Sequence, residues 1–241
     1  MNLIGETLRF VHVAFGAIGL FAFWVPVFAK KGAVNHVRFG KIFVWSAYVV
    51  LAAGALTLIT RVVDLQRQGL GPSDEPTLFA FIVFLAYLTL VTFVIVRYGM
   101  QVLRHKADPV AMRSGVTVGL SYAAILGSAA LILYALLLDP PNKILLFALS
   151  PIGIGNGIGQ LRYMKAVGSS RRAWMYEHIG AMLGAGIAFH TAFAVFGSSR
   201  LFDIELTGWL QIVPWVTPAV IGIPAIVLWT RHYQRKFGEL T

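Results

Sequence analysis

The sequence predicts an all-α membrane bundle of seven transmembrane helices, and three observations predict it. The chain is 58% hydrophobic and only 12% charged, about half the charged fraction of a soluble domain. Seven apolar stretches, each near the roughly 20 residues that cross a bilayer, separate eight polar segments. Finally, the basic residues sort between alternate segments. Fifteen of the 20 Lys and Arg fall in one set, in the groups Lys30-Lys31-Arg38-Lys41, Arg97-Arg104-Lys106-Arg113, Arg162-Lys165-Arg171-Arg172 and Arg231-Arg235-Lys236. Only Arg9, Arg61, Arg67, Lys143 and Arg200 fall in the other. Basic segments resist translocation, so the rich side is cytoplasmic, with the N-terminus outside and the C-terminus inside. The expectation is one transmembrane domain over 1–241, multi-pass in the inner (plasma) membrane.

Each element follows in turn. Span one, roughly 10–29, reads as retained rather than cleaved. Glu6 and Arg9 cancel before it and Lys30-Lys31 follow it, the reverse of a signal peptide. Spans two (40–62) and three (77–99) flank an external connector, Asp64 to Pro76, in which Gly69, Gly71, Pro72 and Pro76 break regular structure. Span four (114–138) reaches span five (143–163) through the tight turn Asp139-Pro140-Pro141-Asn142. Span six covers 174–197. Span seven, 207–230, carries Pro214, Pro218 and Pro224, which favour kinks. The odd span count and the lack of internal duplication disfavour an inverted repeat. The six Trp lie mostly near span ends, where interface anchoring explains them.

Span five has two readings. Pro151 is followed by Gly153, Gly155, Gly157 and Gly159, so small residues recur at a spacing of four. That spacing lets helix backbones approach closely. The other reading is a broken helix beside a cavity, with Asn156 and Gln160 pointing into it.

Composition excludes several function classes. The net charge of +10 is topological: +12 on the basic side and −2 on the other. It therefore points to anionic lipid head groups, not nucleic acid. The absence of cysteine excludes disulfides, thiolate-ligated haem, iron–sulfur clusters and thiol catalysis. No span carries an Asp, which disfavours a membrane hydrolase, and span seven has no Lys for a retinal Schiff base.

Ionisable groups within a bilayer are costly and mark candidate sites. Depth sorts them into two levels. The outer one holds His12 and His190, and the inner one His36, Glu177 and His178, with Gln160 and Arg162 able to join it. His178 and His190 are 12 residues apart, roughly 18 Å along the axis and about 120° in rotation. A shared metal must therefore draw its ligands from different helices. Glu177 and His178 point about 100° apart and are not automatically a pair.

The stretch from His12 to Val44 and that from His178 to Val195 together resemble the DUF2306 family of predicted bacterial multi-pass membrane proteins. The matching positions are His12, Lys31-Gly32, His36, Gly40-Lys41, His178, Met182 and Thr191-Ala192-Phe193, with Trp215 and Pro218 resembling the aromatic-proline ending. The resemblance brings no activity with it. It does include His12, His36 and His178 and leaves out His190, which favours the inner group.

Three functional readings stay open. The first is a redox or proton-transfer protein holding haem b or a metal through His12, His36 and His178, since imidazole is the usual ligand. The second is a transporter of ions or small molecules, with a polar cavity drawing on Asn156, Gln160, Arg162, Glu177 and His190. The third is a non-catalytic assembly, sensory or lipid-binding protein. Membrane lipids are the expected partners in all three, joined by a small-molecule ligand in the first two. Whether the protein is an enzyme, and its oligomeric state, stay open.

Overall fold

The computed structural model describes residues 3–166, 171–197 and 208–239. Arg200, Asp203 and Glu205, which charge sorting assigns to the outer side, lie outside the described residues, as do the first residue of span seven and the side chain of Trp209.

The described chain is helical, with no strand. In order it forms α1 (Leu3–Phe28), α2 (Val34–Arg67), α3 (Pro76–Arg104), a 3-10 turn (Val110–Met112), α4 (Gly115–Leu138), α5 (Lys143–Leu149), α6 (Pro151–Tyr163) and α7 (Ala173–Ala192). A π-helical turn (Phe193–Gly197), a 3-10 turn (Gly208–Ile212) and α8 (Val213–Lys236) complete it. With α5 and α6 taken as one span, seven helices are long and apolar enough to cross a membrane. Their apolar surface points outward. Even in α3, the best covered, only 44% of the most apolar window is buried, and in α8 none is. Water does not tolerate so much exposed apolar surface, whereas a lipid bilayer does.

Several helices overrun the spans expected from hydropathy. α2 begins at Val34, not near 40, and its 34 residues extend roughly 51 Å. Apolar content reports the hydrocarbon thickness, whereas backbone hydrogen bonding continues into the interface. His36 is therefore the third residue of α2 and not part of the preceding connector. Pro218 and Pro224 lie inside α8 without ending it.

The connections follow from local chemistry. Gly32 at φ +79° makes the turn between α1 and α2. Asp139 takes the left-handed conformation at φ 44° and caps α4, a role its short polar side chain tolerates. Its carboxylate also pairs with Lys143 at the start of α5. Ser114 caps the start of α4 by accepting the Thr117 N–H at 3.2 Å.

The chain groups into two compact units. The first comprises the described part of Met1–Ala17, Val44–Val94 and Pro109–Val167, and the second that of Ile18–Phe43, Ile95–Asp108 and Gly168–Thr241. Neither is a contiguous stretch, because α1, α2 and α3 each contribute to both.

In the first unit, α4 packs closely on α6. α4 buries Thr117, Ser121, Ala124, Ser128, Leu131 and Ala135, steps of three and four that line one face with mostly small side chains. α6 buries Gly153, Gly157 and Gln160 against it. In the second unit, α7 packs on α8. Phe23, Phe43 and Phe189 form an aromatic core there, with ring centroids 5.3–5.4 Å apart.

Candidate functional site

The second unit brings together three of the inner-level residues. The centre is α7, where His178 and Glu177 each meet α3. His178 Nδ1 lies 3.1 Å from the Gly99 carbonyl oxygen. Tyr98, the neighbouring residue on α3, donates its hydroxyl to Glu177 Oε2 at 2.6 Å. Two consecutive residues of one helix thus hold two consecutive residues of the other. Gly99 permits this approach. A Cβ there would stand 2.4 Å from Met182 Cε and 3.0 Å from Ala181 Cβ.

A carbonyl oxygen only accepts, so the facing imidazole nitrogen must carry the proton. His178 is therefore protonated at Nδ1 and keeps its lone pair on Nε2. His36 repeats the arrangement, with Nδ1 3.1 Å from the Pro26 carbonyl oxygen. Lys31 and Lys106 belong to the same unit as His36 and His178.

The Lys31-Gly32…His36 pattern has a structural role of its own. α1 ends with carbonyls that no backbone N–H can reach. Lys31 Nζ donates to Pro26 O at 2.8 Å and to Val27 O at 2.7 Å, and His36 adds its own N–H to Pro26 O. Burial pushes the Lys31 ammonium below its ordinary range. Lys106 rests over the Trp174 ring, 4.5 Å from its centroid.

His12 belongs to the first unit. Its Nδ1 donates to the Val50 carbonyl at 3.0 Å, with the ring 3.5 Å from where a Gly54 Cβ would stand. It ties α1 to α2, and His36 with His178 belongs to the other unit.

Of the residues expected to line a polar cavity, Asn156, Gln160 and Arg162 belong to the first unit and Glu177 and His190 to the second. His190 is half-buried against two aromatic rings. It meets Phe23 and Trp24 edge-on, each with centroids at 5.3 Å, and returns its Nδ1–H to Gly186 O on its own helix at 2.8 Å. Arg162 is exposed and Asn156 half-buried. Gln160 is buried, accepts the Ser121 hydroxyl at 2.9 Å through Oε1 and leaves Nε2 without a partner. Gly153 and Gly157 pack so tightly on α4 that no cavity fits on that side of α6. Among the described residues, no three His, Asp or Glu side chains converge as a metal-binding set.

Two tyrosines matter that residue type alone did not single out. One is Tyr98. The other is Tyr87, which manages the interruption at Ser150-Pro151. Pro151 has no N–H for the Phe147 carbonyl, which instead accepts the Ser150 hydroxyl at 3.0 Å. Tyr87 Oη accepts the Gly153 N–H at 2.9 Å and donates to Ser150 O at 2.9 Å, with Ser128 Oγ at 3.1 Å.

The Tyr98–Glu177 contact carries a direct expectation. Tyr98→Phe and Glu177→Gln should each lower the thermal unfolding midpoint in detergent. The double variant should lose less than the two together, with a coupling of about 1 kcal/mol. Simple additivity would show that the contact contributes nothing.

No family model matches the chain, and neither does any curated protein or solved structure.

Proposed function

We propose that this is a multi-pass protein of the inner (plasma) membrane, N-terminus outside and C-terminus cytoplasmic, that works through a histidine centre in redox chemistry or proton transfer. His178 and His36 are the residues that act, and haem b or a metal ion is the group they hold. The orientation is supported by the fifteen-to-five sorting of Lys and Arg. A place beside the DUF2306 family is supported by the His12, Lys31-Gly32, His36 and His178 pattern.

One observation carries the histidine reading. Both rings give Nδ1–H to a backbone carbonyl and turn the lone pair to Nε2. Ligating histidines are held in this way, because the carbonyl fixes the tautomer and the ring orientation. His178 and His36 would hold haem through their two imidazoles, which does not need the three-residue cluster of a structural metal site. When bound, such a group would supply the electron transfer. The chain orients the imidazoles, and Glu177 with the Tyr98 hydroxyl offers a proton acceptor and donor beside them.

The test is the absorption spectrum and metal content of protein purified from membranes in mild detergent. A Soret band or a stoichiometric metal is expected, lost in His178→Ala and kept in His232→Ala, with helical content unchanged in both. A colourless, metal-free wild type overturns the cofactor reading.

A further inference from the structure

The end of α8 reaches back to the start of α7, within the second unit. α7 has no cap of its own: Arg172 makes no side-chain capping bond and the first turn holds no acidic residue. A carboxylate comes instead from Glu239. Tyr176 donates its hydroxyl to Glu239 Oε2 at 2.6 Å, and Arg172 Nη1 lies 3.3 Å from Oε1. The Glu239 side chain is only 19% exposed. The backbone sets it there. Gly238 takes φ +68°, its N–H donates to Arg235 O at 3.0 Å, and the Glu239 N–H donates to Gln234 O at 2.8 Å. This is a Schellman turn, whose left-handed position glycine fills without a Cβ penalty. Phe237, one residue earlier, places its ring centroid 4.2 Å from the Arg172 guanidinium carbon. Ring and carboxylate thus both engage the arginine.

Three consecutive residues of α7 are held by three different groups. Tyr176 takes Glu239, Glu177 takes Tyr98, and His178 takes the Gly99 carbonyl. Successive side chains turn by about 100°, so Tyr176 and His178 lie about 160° apart around the helix. α3 therefore grips α7 on one side and the turn after α8 grips it on nearly the opposite side. We propose that this turn latches the rotation of α7, and that Glu239 is a positioning residue for His178. The latch keeps Nδ1–H on the Gly99 carbonyl, and so keeps the Nε2 lone pair in one direction. The proposal rests on the reading of His178 as the residue that acts, and adds the group that aims it.

Histidine labelled with ¹⁵N in the ring reports the tautomer, read on the whole chain in mild detergent. The wild type should show His178 as the Nδ1–H form. Glu239→Ala should admit the Nε2–H form and speed amide exchange over the first two turns of α7 roughly tenfold or more. The His12 ring, in the first unit, should not change. Gly238→Ala keeps the carboxylate but strains the turn, and should move the same signals in the same direction. Asp64→Asn, which removes an exposed carboxylate from α2, should move none of them. His178 signals identical in wild type and Glu239→Ala would overturn the latch. Equal changes at His178 and His12 would mean general loosening and overturn it as well. A colourless wild type counts against the cofactor alone, since the ring signals are read without one. Where haem is bound, the g values set by its axial imidazoles take their place, and identical values in wild type and Glu239→Ala overturn the latch.

Discussion

Gly157→Ala should lower the thermal unfolding midpoint in detergent by several degrees, while Gly155→Ala and Gly159→Ala should leave it unchanged or raise it. A Cβ on Gly157 would stand 2.5 Å from the Ser121 carbonyl oxygen and 2.6 Å from Ile125 Cγ1. On Gly153 it would stand 2.5 Å from the Ala124 carbonyl oxygen and 2.4 Å from Ser128 Oγ. Carbonyl oxygens of a helix cannot rotate aside, so α6 must move off α4. That motion opens the buried face of α4 and stretches the Ser121–Gln160 hydrogen bond. Overpacking of this kind costs about 1–3 kcal/mol, and 1 kcal/mol corresponds to roughly 2–4 °C for a chain of this size. Gly155 and Gly159 have nothing within 4 Å. Alanine there adds no clash and recovers roughly 0.5–1 kcal/mol of helix propensity. Equal effects at all four glycines would refute the packing of α6 on α4.

Tyr87→Phe should destabilise the chain by about 1–3 kcal/mol, whereas Tyr122→Phe, on a half-exposed tyrosine, should have little effect. The Tyr87 hydroxyl serves the Gly153 N–H and the Ser150 carbonyl where Pro151 interrupts the helical ladder. A phenyl ring fills nearly the same space, so the loss isolates the hydrogen bonds from the packing. Water cannot replace the hydroxyl at that depth, and the Gly153 N–H is left unpaired. Faster amide exchange at Gly153, confined to the α5–α6 junction, is the local signature. Unchanged exchange there would show that the interruption holds itself together.

These two expectations also mark what was legible in the sequence. The number of spans was, because hydropathy measures the slab that the helices cross. The two faces of span five were half legible. Glycines at a spacing of four announced close packing. Only the steps of three and four through Thr117, Ser121, Ala124 and Ser128 identify the partner as α4, and that stripe is easily missed because its members are both polar and apolar. The close packing holds on the α4 side of the span, and of the other reading only the interruption at Ser150-Pro151 is present. Pro151 interrupts the backbone ladder, and Tyr87 and Ser150 restore it without a cavity.

The candidate site was legible in residue type and not in geometry. Glu177 and His178 diverge by about 100°, and each takes a different residue of α3. Tyr98 and the Gly99 carbonyl carry no charge, so a search for ionisable groups passes over them. His190 shows the converse failure. Its ionisable ring draws attention, yet it packs edge-on against Phe23 and Trp24, and Gly186, where a Cβ would stand 2.1 Å from Phe23, leaves room for the Phe23 ring. A single chain also cannot show which imidazole nitrogen carries the proton, since that depends on a carbonyl brought close by folding.

The closure of α1 by Lys31 and His36 bears on how the protein is made. Its donors and acceptors lie within ten residues of one another, from Pro26 to His36. A ribosome that has released only the first two spans has already supplied every atom of that turn, along with the His12 and Val50 groups that bind α1 to α2. The first helical hairpin can therefore leave the insertion machinery as a finished pair, its loose carbonyls already satisfied, before the third span has been synthesised.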